Sequence, residues 1–322
     1  RAAAAAARLP VRPEDAAVSL AIVAGTGRCG STLVQELLCR HPAIGFVSGV
    51  DDKLSKLNLT GRFNGRLYRR GAPRPSGMTS LAHSRRLLEK GRLRVAPSEA
   101  YRLLDRHVTA GFSRPCRDLL AADMTPFVSR RARAFFDARL AAQRVPLILQ
   151  HVTGWPRTGF LGAAYPELKV VNVVRDGRAV VNSWLQMGWW DGWQGPANWY
   201  LGPLPPALQA EWEAHARSFP VLAALGWKML MSAYADARAA HPADQWLDLH
   251  YEDLIAEPRK ELTRVLEFLG LEWSPAFERG FAKHSLHAGR GDAYLSELTP
   301  AQVADVSRVL REPLTQWGYA AP

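Results

Sequence analysis

Ser19-Leu20-Ala21-Ile22-Val23-Ala24-Gly25-Thr26-Gly27-Arg28-Cys29-Gly30-Ser31-Thr32-Leu33-Val34-Gln35-Glu36-Leu37-Leu38 runs from an apolar strand through a glycine-rich loop into a periodic helix. That layout is a phosphate cradle. Glycines let the backbone turn tightly and approach an anion. The loop N–H groups and the positive end of the following helix supply the field. Ser31 and Thr32 fall in the first helical turn, where short hydroxyls add bonds to a phosphate oxygen. Three readings fit the loop. Gly25-x-Gly27-x-x-Gly30 matches a dinucleotide fingerprint, with Asp51 or Asp52 as the ribose-binding acid. Gly25-x-x-x-x-Gly30-Ser31-Thr32 nearly matches a nucleoside-triphosphate loop, but Ser31 replaces the lysine that bridges the terminal phosphates. The third reading makes Arg28 the cation facing a departing phosphate.

A second segment bears on the choice. Leu168-Lys169-Val170-Val171-Asn172-Val173-Val174 is rich in β-branched residues and reads as a buried parallel strand. Arg175 follows at its carboxyl end, where open parallel sheets place their ligands. A helix starts near Ala179, and Ser183 stands about two turns past Arg175. A guanidinium fork with a hydroxyl suits a phosphate monoester.

Gly27-Arg28-Cys29-Gly30-Ser31-Thr32-Leu33 resembles the 5′-phosphosulfate loop of bacterial sulfotransferases, and Val173-Val174-Arg175-Asp176-Gly177-Arg178-Ala179-Val180-Val181-Asn182-Ser183 resembles their 3′-phosphate segment. Tyr251-Glu252-Asp253-Leu254 with Phe268-Leu269-Gly270-Leu271, the tail from Leu298 to Tyr319, and the linker Thr153-Gly154-Trp155-Pro156-Arg157 are similar too, in the same order. The resemblance implies a three-layer α/β/α fold with a central parallel sheet and a phosphate-binding loop after the first strand. It implies 3′-phosphoadenosine 5′-phosphosulfate (PAPS) as cofactor, adenosine 3′,5′-bisphosphate as product, and no metal. Gly27, Arg28, Cys29, Gly30, Ser31 and Thr32 would hold the 5′ end, with Arg175 and Ser183 on the 3′-phosphate. His287-Ala288-Gly289-Arg290-Gly291-Asp292 looks like the closing loop over that phosphate, so Arg290 and Gly291 join the set. A structural role is expected for Glu252 and Asp253.

The reaction so implied is direct sulfuryl transfer to an acceptor hydroxyl. Charge develops on the bridging oxygen much as in phosphoryl transfer, and positioned cations stabilise it. Arg28 is the first choice for that role. The base is open between His151, at the end of the Leu147-Ile148-Leu149-Gln150 strand, and Asp51 or Asp52 beyond the loop. Cys29 reads as a small loop residue and not a nucleophile.

Composition fits this class. At 322 residues and 48% hydrophobic, the chain can bury a full α/β core in one domain over 19–322. Residues 1–18, lacking a starting methionine, read as a disordered arm or an appended remnant. The formal charge of +11 calls for an anionic partner. Arg62, Arg66, Arg69, Arg70, Arg74, Arg85, Arg86, Arg92 and Arg94 cluster with few aromatics and no nucleic-acid motif, so nucleic acid is not expected. Three cysteines without paired spacing point to a reducing, cytoplasmic setting. His284-x-x-His287 lacks the partners of a metal site. No run is long enough for a transmembrane helix.

Helices are expected over 97–109, 129–143, 217–240 and 258–269, strands over 145–151 and 245–250, and a loop over Gly61–Gly77. Insertions at about 50–145 and 184–212 are expected to shape the acceptor site; the second holds Trp184, Trp189, Trp190, Trp193, Trp199 and Trp212. The acceptor expected is a small molecule, sugar-bearing or lipidic, with a phenol behind it; the oligomeric state is left open. An NAD(P)-dependent oxidoreductase and a non-catalytic anion- or nucleic-acid-binding protein are the readings from other classes.

Overall fold

The computed structural model describes residues 19–73, 95–286 and 291–320. Five parallel strands form one sheet: β1 (Leu20–Gly25), β2 (Ile44–Gly45), β3 (Leu147–Thr153), β4 (Lys169–Val174) and β5 (Trp246–His250), in the order β2-β3-β1-β4-β5. Every residue of β1 is buried. Successive strand side chains point to opposite faces, so both faces of the sheet are covered by helices, and the fold has three layers. The chain leaves β1 toward β2 and β3 on one side and reaches β4 and β5 on the other. β1 is thus the switch point of the sheet, and its carboxyl end opens the crevice where such folds hold ligands.

The helices follow in chain order. α1 (Ser31–Leu38) starts directly from the glycine loop, α2 (Gly49–Lys53) and α3 (Asn64–Arg70) are short, and α4 (Tyr101–His107) leads to α5 (Pro126–Gln143). α6 (Thr158–Ala164) and α7 (Gly177–Leu185) each follow a strand. α8 (Pro206–Ala214) precedes the long α9 (Phe219–Ala240). α10 (Tyr251–Ala256), α11 (Pro258–Phe268), α12 (Pro275–Phe281), α13 (Tyr294–Glu297) and α14 (Pro300–Gln316) complete the chain. Several start on a cap and a proline: Thr125 Oγ1 accepts from Val128 N before Pro126, and Thr299 from Gln302 N before Pro300.

Leu262, Val265, Leu266 and Leu269 line one buried face of α11 and its end, as the periodicity predicts. Trp227 on α9 is fully buried, and a Cβ added at Gly177 would lie 2.9 Å from its ring and 3.0 Å from Leu310. Glycine at the start of α7 therefore lets α7, α9 and α14 close on one another. Trp184, Trp190, Trp199 and Trp212 are core residues, whereas Trp189 and Trp193 are exposed.

Two local expectations change. The helix expected from Pro97 begins only at Tyr101, because Pro97 bridges Ser48 and Ala100 takes a left-handed conformation at φ 57°. The loop expected from Gly61 contains α3, whose Asn64 and Tyr68 are buried. Residues 1–18, Arg74, Arg85, Arg86, Arg92, Arg94, His287 and Arg290 lie outside the described residues. No described helix is long and apolar enough to cross a membrane.

Candidate active site

The loop between β1 and α1 is built from conformations that few side chains tolerate. Gly27, Arg28 and Gly30 have φ of 84°, 58° and 95°. A Cβ at Gly25 would collide with Cys29 Sγ and stand 2.8 Å from the Val173 carbonyl oxygen; one at Gly30 would sit 2.7 Å from Tyr251 Cε2. Cys29 is buried beneath the loop. Arg28, which has a Cβ, holds its left-handed backbone at a cost of about 1–3 kcal/mol. Such strain persists only where neighbours fix it. Arg175 Nη1 donates to the Arg28 carbonyl oxygen at 3.0 Å, and Arg28 Nε donates to Ser183 Oγ at 2.9 Å. Trp184 Nε1 donates to Gly27 O at 3.3 Å.

The sequence candidates Arg28, Arg175 and Ser183 therefore meet, although β4 and α7 lie far along the chain from the loop. The two guanidiniums oppose one another. Partial burial pulls the Arg28 pKa below the usual guanidinium range, and the Arg175 charge adds to that effect. An anion between two such cations turns repulsion into attraction. Thr32 is exposed in the first turn of α1, beside the helix's positive end. Tyr251 completes this wall: its ring lies under Arg175, 4.7 Å from the guanidinium carbon, and against Gly30. Its neighbours are structural, as expected for Glu252, whose carboxylate accepts from Asp176 N at 3.2 Å and Tyr319 OH at 2.8 Å.

On the other side of the loop a polar cluster gathers around the end of β3. His151 Nε2 is 2.8 Å from Ser31 Oγ, and its Nδ1 lies 3.9 Å from Glu99 Oε1. Thr153 Oγ1 donates to Glu99 at 3.0 Å. Tyr101 OH donates to Thr153 O at 3.1 Å and accepts from Thr153 N at 2.8 Å. Burial, then the Glu99 charge, push the Tyr101 phenol up to about 12. The His151 side chain is only 1% exposed, with Ser31 on one nitrogen and Glu99 facing the other, whereas the Glu99 side chain is 37% exposed. Glu99 is the group that sequence reasoning misses. It precedes α4 in a segment with no motif, and reaches the site because Ser98 N donates to Val47 O and Gly49 N to Ala96 O.

The two aspartates considered as bases are both hydrogen-bonded within the fold. Asp51 is buried, and its Oδ2 accepts from Ser48 N at 2.9 Å, Ser48 Oγ at 2.8 Å and Asn64 Nδ2 at 2.6 Å, capping α2 and tying it to α3. Asp52 Oδ1 accepts from Leu103 N at 3.1 Å, and burial raises its pKa. His284 accepts from Arg40 Nε at 3.0 Å. Gly291 lies in a turn with open space around its Cα.

A model of the sulfotransferase family matches residues 21–275, and the chain belongs to that family. Among solved structures it is similar to sulfotransferase STF9 from Mycobacterium avium, with 15% identity, 95% of this chain and 79% of that one covered, and a TM-score of 0.54. It is also similar to the sulfotransferase domain of the Synechococcus PCC 7002 olefin synthase, at 19% identity over 94% and 96% of the two chains, TM-score 0.47. A mouse sulfotransferase, SULT7A1, complexed with PAP, shares 11% identity over 95% and 86%, TM-score 0.44. A comparison with curated proteins finds no match.

Proposed function

We propose that this member of the sulfotransferase family uses PAPS to sulfate a hydroxyl on a small acceptor, sugar-bearing or lipidic. The observation that carries the reading is the meeting of Arg28, Arg175 and Ser183 beside a left-handed glycine loop at the carboxyl end of β1. A glycine loop with N–H donors and, beside it, two arginines and a serine suit a nucleotide charged at both its 3′ and 5′ positions. The loop N–H groups with Ser31 and Thr32 would hold the 5′ end, and Arg175 with Ser183 the 3′-phosphate. Gly27 and Cys29 shape the loop, and Gly291 is proposed beside the 3′-phosphate.

PAPS supplies an activated sulfuryl group on a bisphosphate leaving group. Arg28, partly desolvated, neutralises charge as it grows on the bridging oxygen. The acceptor proton has a route through the cluster on β3. His151 is buried, with Ser31 Oγ on Nε2 and Glu99 facing Nδ1, so it orients both the loop and the carboxylate. The partly exposed Glu99 takes the proton, with Thr153 Oγ1 holding its carboxylate. Glu99 is thus proposed as the base, with His151 beside it.

The test is transfer of sulfuryl-labelled PAPS to a panel of glycosides, glycolipids and phenols. Labelled product is expected with at least one acceptor class, falling about 10²–10³-fold in Arg28→Ala. Release of label only to water by wild type and variant alike would count against the reading.

A further inference from the structure

Residues 53–70, Lys-Leu-Ser-Lys-Leu-Asn-Leu-Thr-Gly-Arg-Phe-Asn-Gly-Arg-Leu-Tyr-Arg-Arg, combine cations and large apolar residues without one carboxylate. Folding buries only a minority of them. Leu57 is 65% exposed, Phe63 54% and Leu67 51%, with Leu54 and Leu59 also open to solvent. Lys53, Lys56, Arg62, Arg66 and Arg70 are exposed among them. Helical spacing explains how this arises. Asn64 and Tyr68, one turn apart, face the core, while Phe63 and Leu67, also one turn apart, face away. Leu54 and Leu57 are three residues apart around the 3₁₀ turn Ser55–Leu57, whose Ser55 is buried. Soluble surfaces scatter apolar residues singly, so a run of five within one short segment marks a contact surface.

We infer that this surface docks the protein on an anionic membrane. A polyanion such as duplex nucleic acid would cover the cations and leave Leu57, Phe63 and Leu67 in water. A bilayer with anionic headgroups satisfies both halves, lysines and arginines at the phosphate level and apolar tips at the acyl boundary. The segment is also joined to the acceptor side of the site. Leu103 N donates to Asp52 Oδ1 at 3.1 Å, His107 Nε2 meets Ser55 O at 2.7 Å, and the Ser48–Pro97 bridge precedes Glu99 by two residues. Docking would hold the Glu99 and Tyr101 side of the crevice near the headgroups. The docking itself does not depend on the sulfuryl reading, and binding without catalysis would still establish it.

The test is co-sedimentation of the full chain with vesicles of phosphatidylcholine alone and with about 30% phosphatidylglycerol, each at low salt and at about 0.5 M salt. The wild type is expected to pellet with the anionic vesicles only and to retain part of that binding at high salt. Leu57→Asp/Phe63→Asp/Leu67→Asp should weaken it about tenfold, with an unchanged melting midpoint because all three side chains are exposed. Leu120→Asp/Phe127→Asp, at another exposed apolar site, should bind as wild type. Failure to pellet with either vesicle, or binding undiminished in the triple variant, overturns the proposal. Complete release by salt together with tight retention by duplex DNA overturns it in favour of a polyanion surface.

Discussion

Arg28 combines a strained left-handed backbone with a guanidinium set beside that of Arg175, which lowers its pKa further. Both follow from what surrounds it, since Ser183 and Arg175 hold the side chain and the carbonyl oxygen at once. Arg28→Lys keeps a charge but lacks the planar fork, so its turnover of PAPS should fall below wild type and stay above Arg28→Ala. Equal turnover in the two variants would show that the bidentate geometry is irrelevant. Gly30→Ala tests the loop itself. Its Cβ meets the Tyr251 ring at a φ of 95°, so it should lower stability by about 1–3 kcal/mol and weaken bisphosphate binding; a melting curve and a titration read the two effects separately. At Glu99, the isosteric Glu99→Gln keeps an oxygen for Thr153 but cannot take a proton. The expected result is loss of PAPS turnover by about 10²-fold with bisphosphate affinity unchanged, and an unaffected turnover would return the base to another group.

At the scale of elements, the sequence is most legible where periodicity and loop chemistry agree. β1, β4, α1 and α7 stand within a residue or two of the expected ends, because β-branched runs and glycine turns leave few alternatives. The meeting of Arg28 with Arg175 and Ser183 is legible for the same reason. What stays hidden depends on packing between distant segments. β2 has only two residues, too few for any pattern, and exists because Ile44 and Gly45 pair with Leu147 and Ile148. Glu99 and Tyr101 reach the site through backbone bonds between residues 47–49 and 96–98, which no local propensity encodes. The tryptophan-rich stretch is likewise ambiguous in sequence, and burial of Trp184, Trp190, Trp199 and Trp212 makes most of it core. The junction of α7, α9 and α14 gives a prediction at this scale. Gly177→Ala adds a methyl only 2.9 and 3.0 Å from Trp227 and Leu310, closer than ordinary contact, and should cost about 1–3 kcal/mol; an unchanged denaturation midpoint would mean that the helices can spread without penalty.

For the molecule as a whole, stability should carry a mark of Asp118. Its carboxylate accepts from Arg157 N at 2.7 Å, yet burial raises its pKa from 3.8 to about 6. The folded chain thus keeps a proton that the unfolded chain gives up between those two values. That contribution is complete below 3.8 and is lost as pH rises through about 6, after which the buried charge costs about 3 kcal/mol. Asp118→Asn retains an accepting oxygen without the charge, so it should melt a few degrees higher than wild type at neutral pH, with the gap closing near pH 4. A gap of the same sign and size at both pH values would assign the effect to packing. The +11 charge of the chain raises affinity for any anion, which is why the central claim needs a ligand contrast and not binding alone. The most direct measurement is the melting midpoint with adenosine 3′,5′-bisphosphate set against AMP, in wild type and Arg175→Ala. At about a hundredfold over its dissociation constant the bisphosphate adds about 2.7 kcal/mol, a rise of several degrees in a chain of this size. That rise is expected in the wild type, with little from AMP and none in Arg175→Ala. An equal rise with AMP, or an undiminished one in Arg175→Ala, would contradict the assignment of a 3′-phosphate station to Arg175 and Ser183.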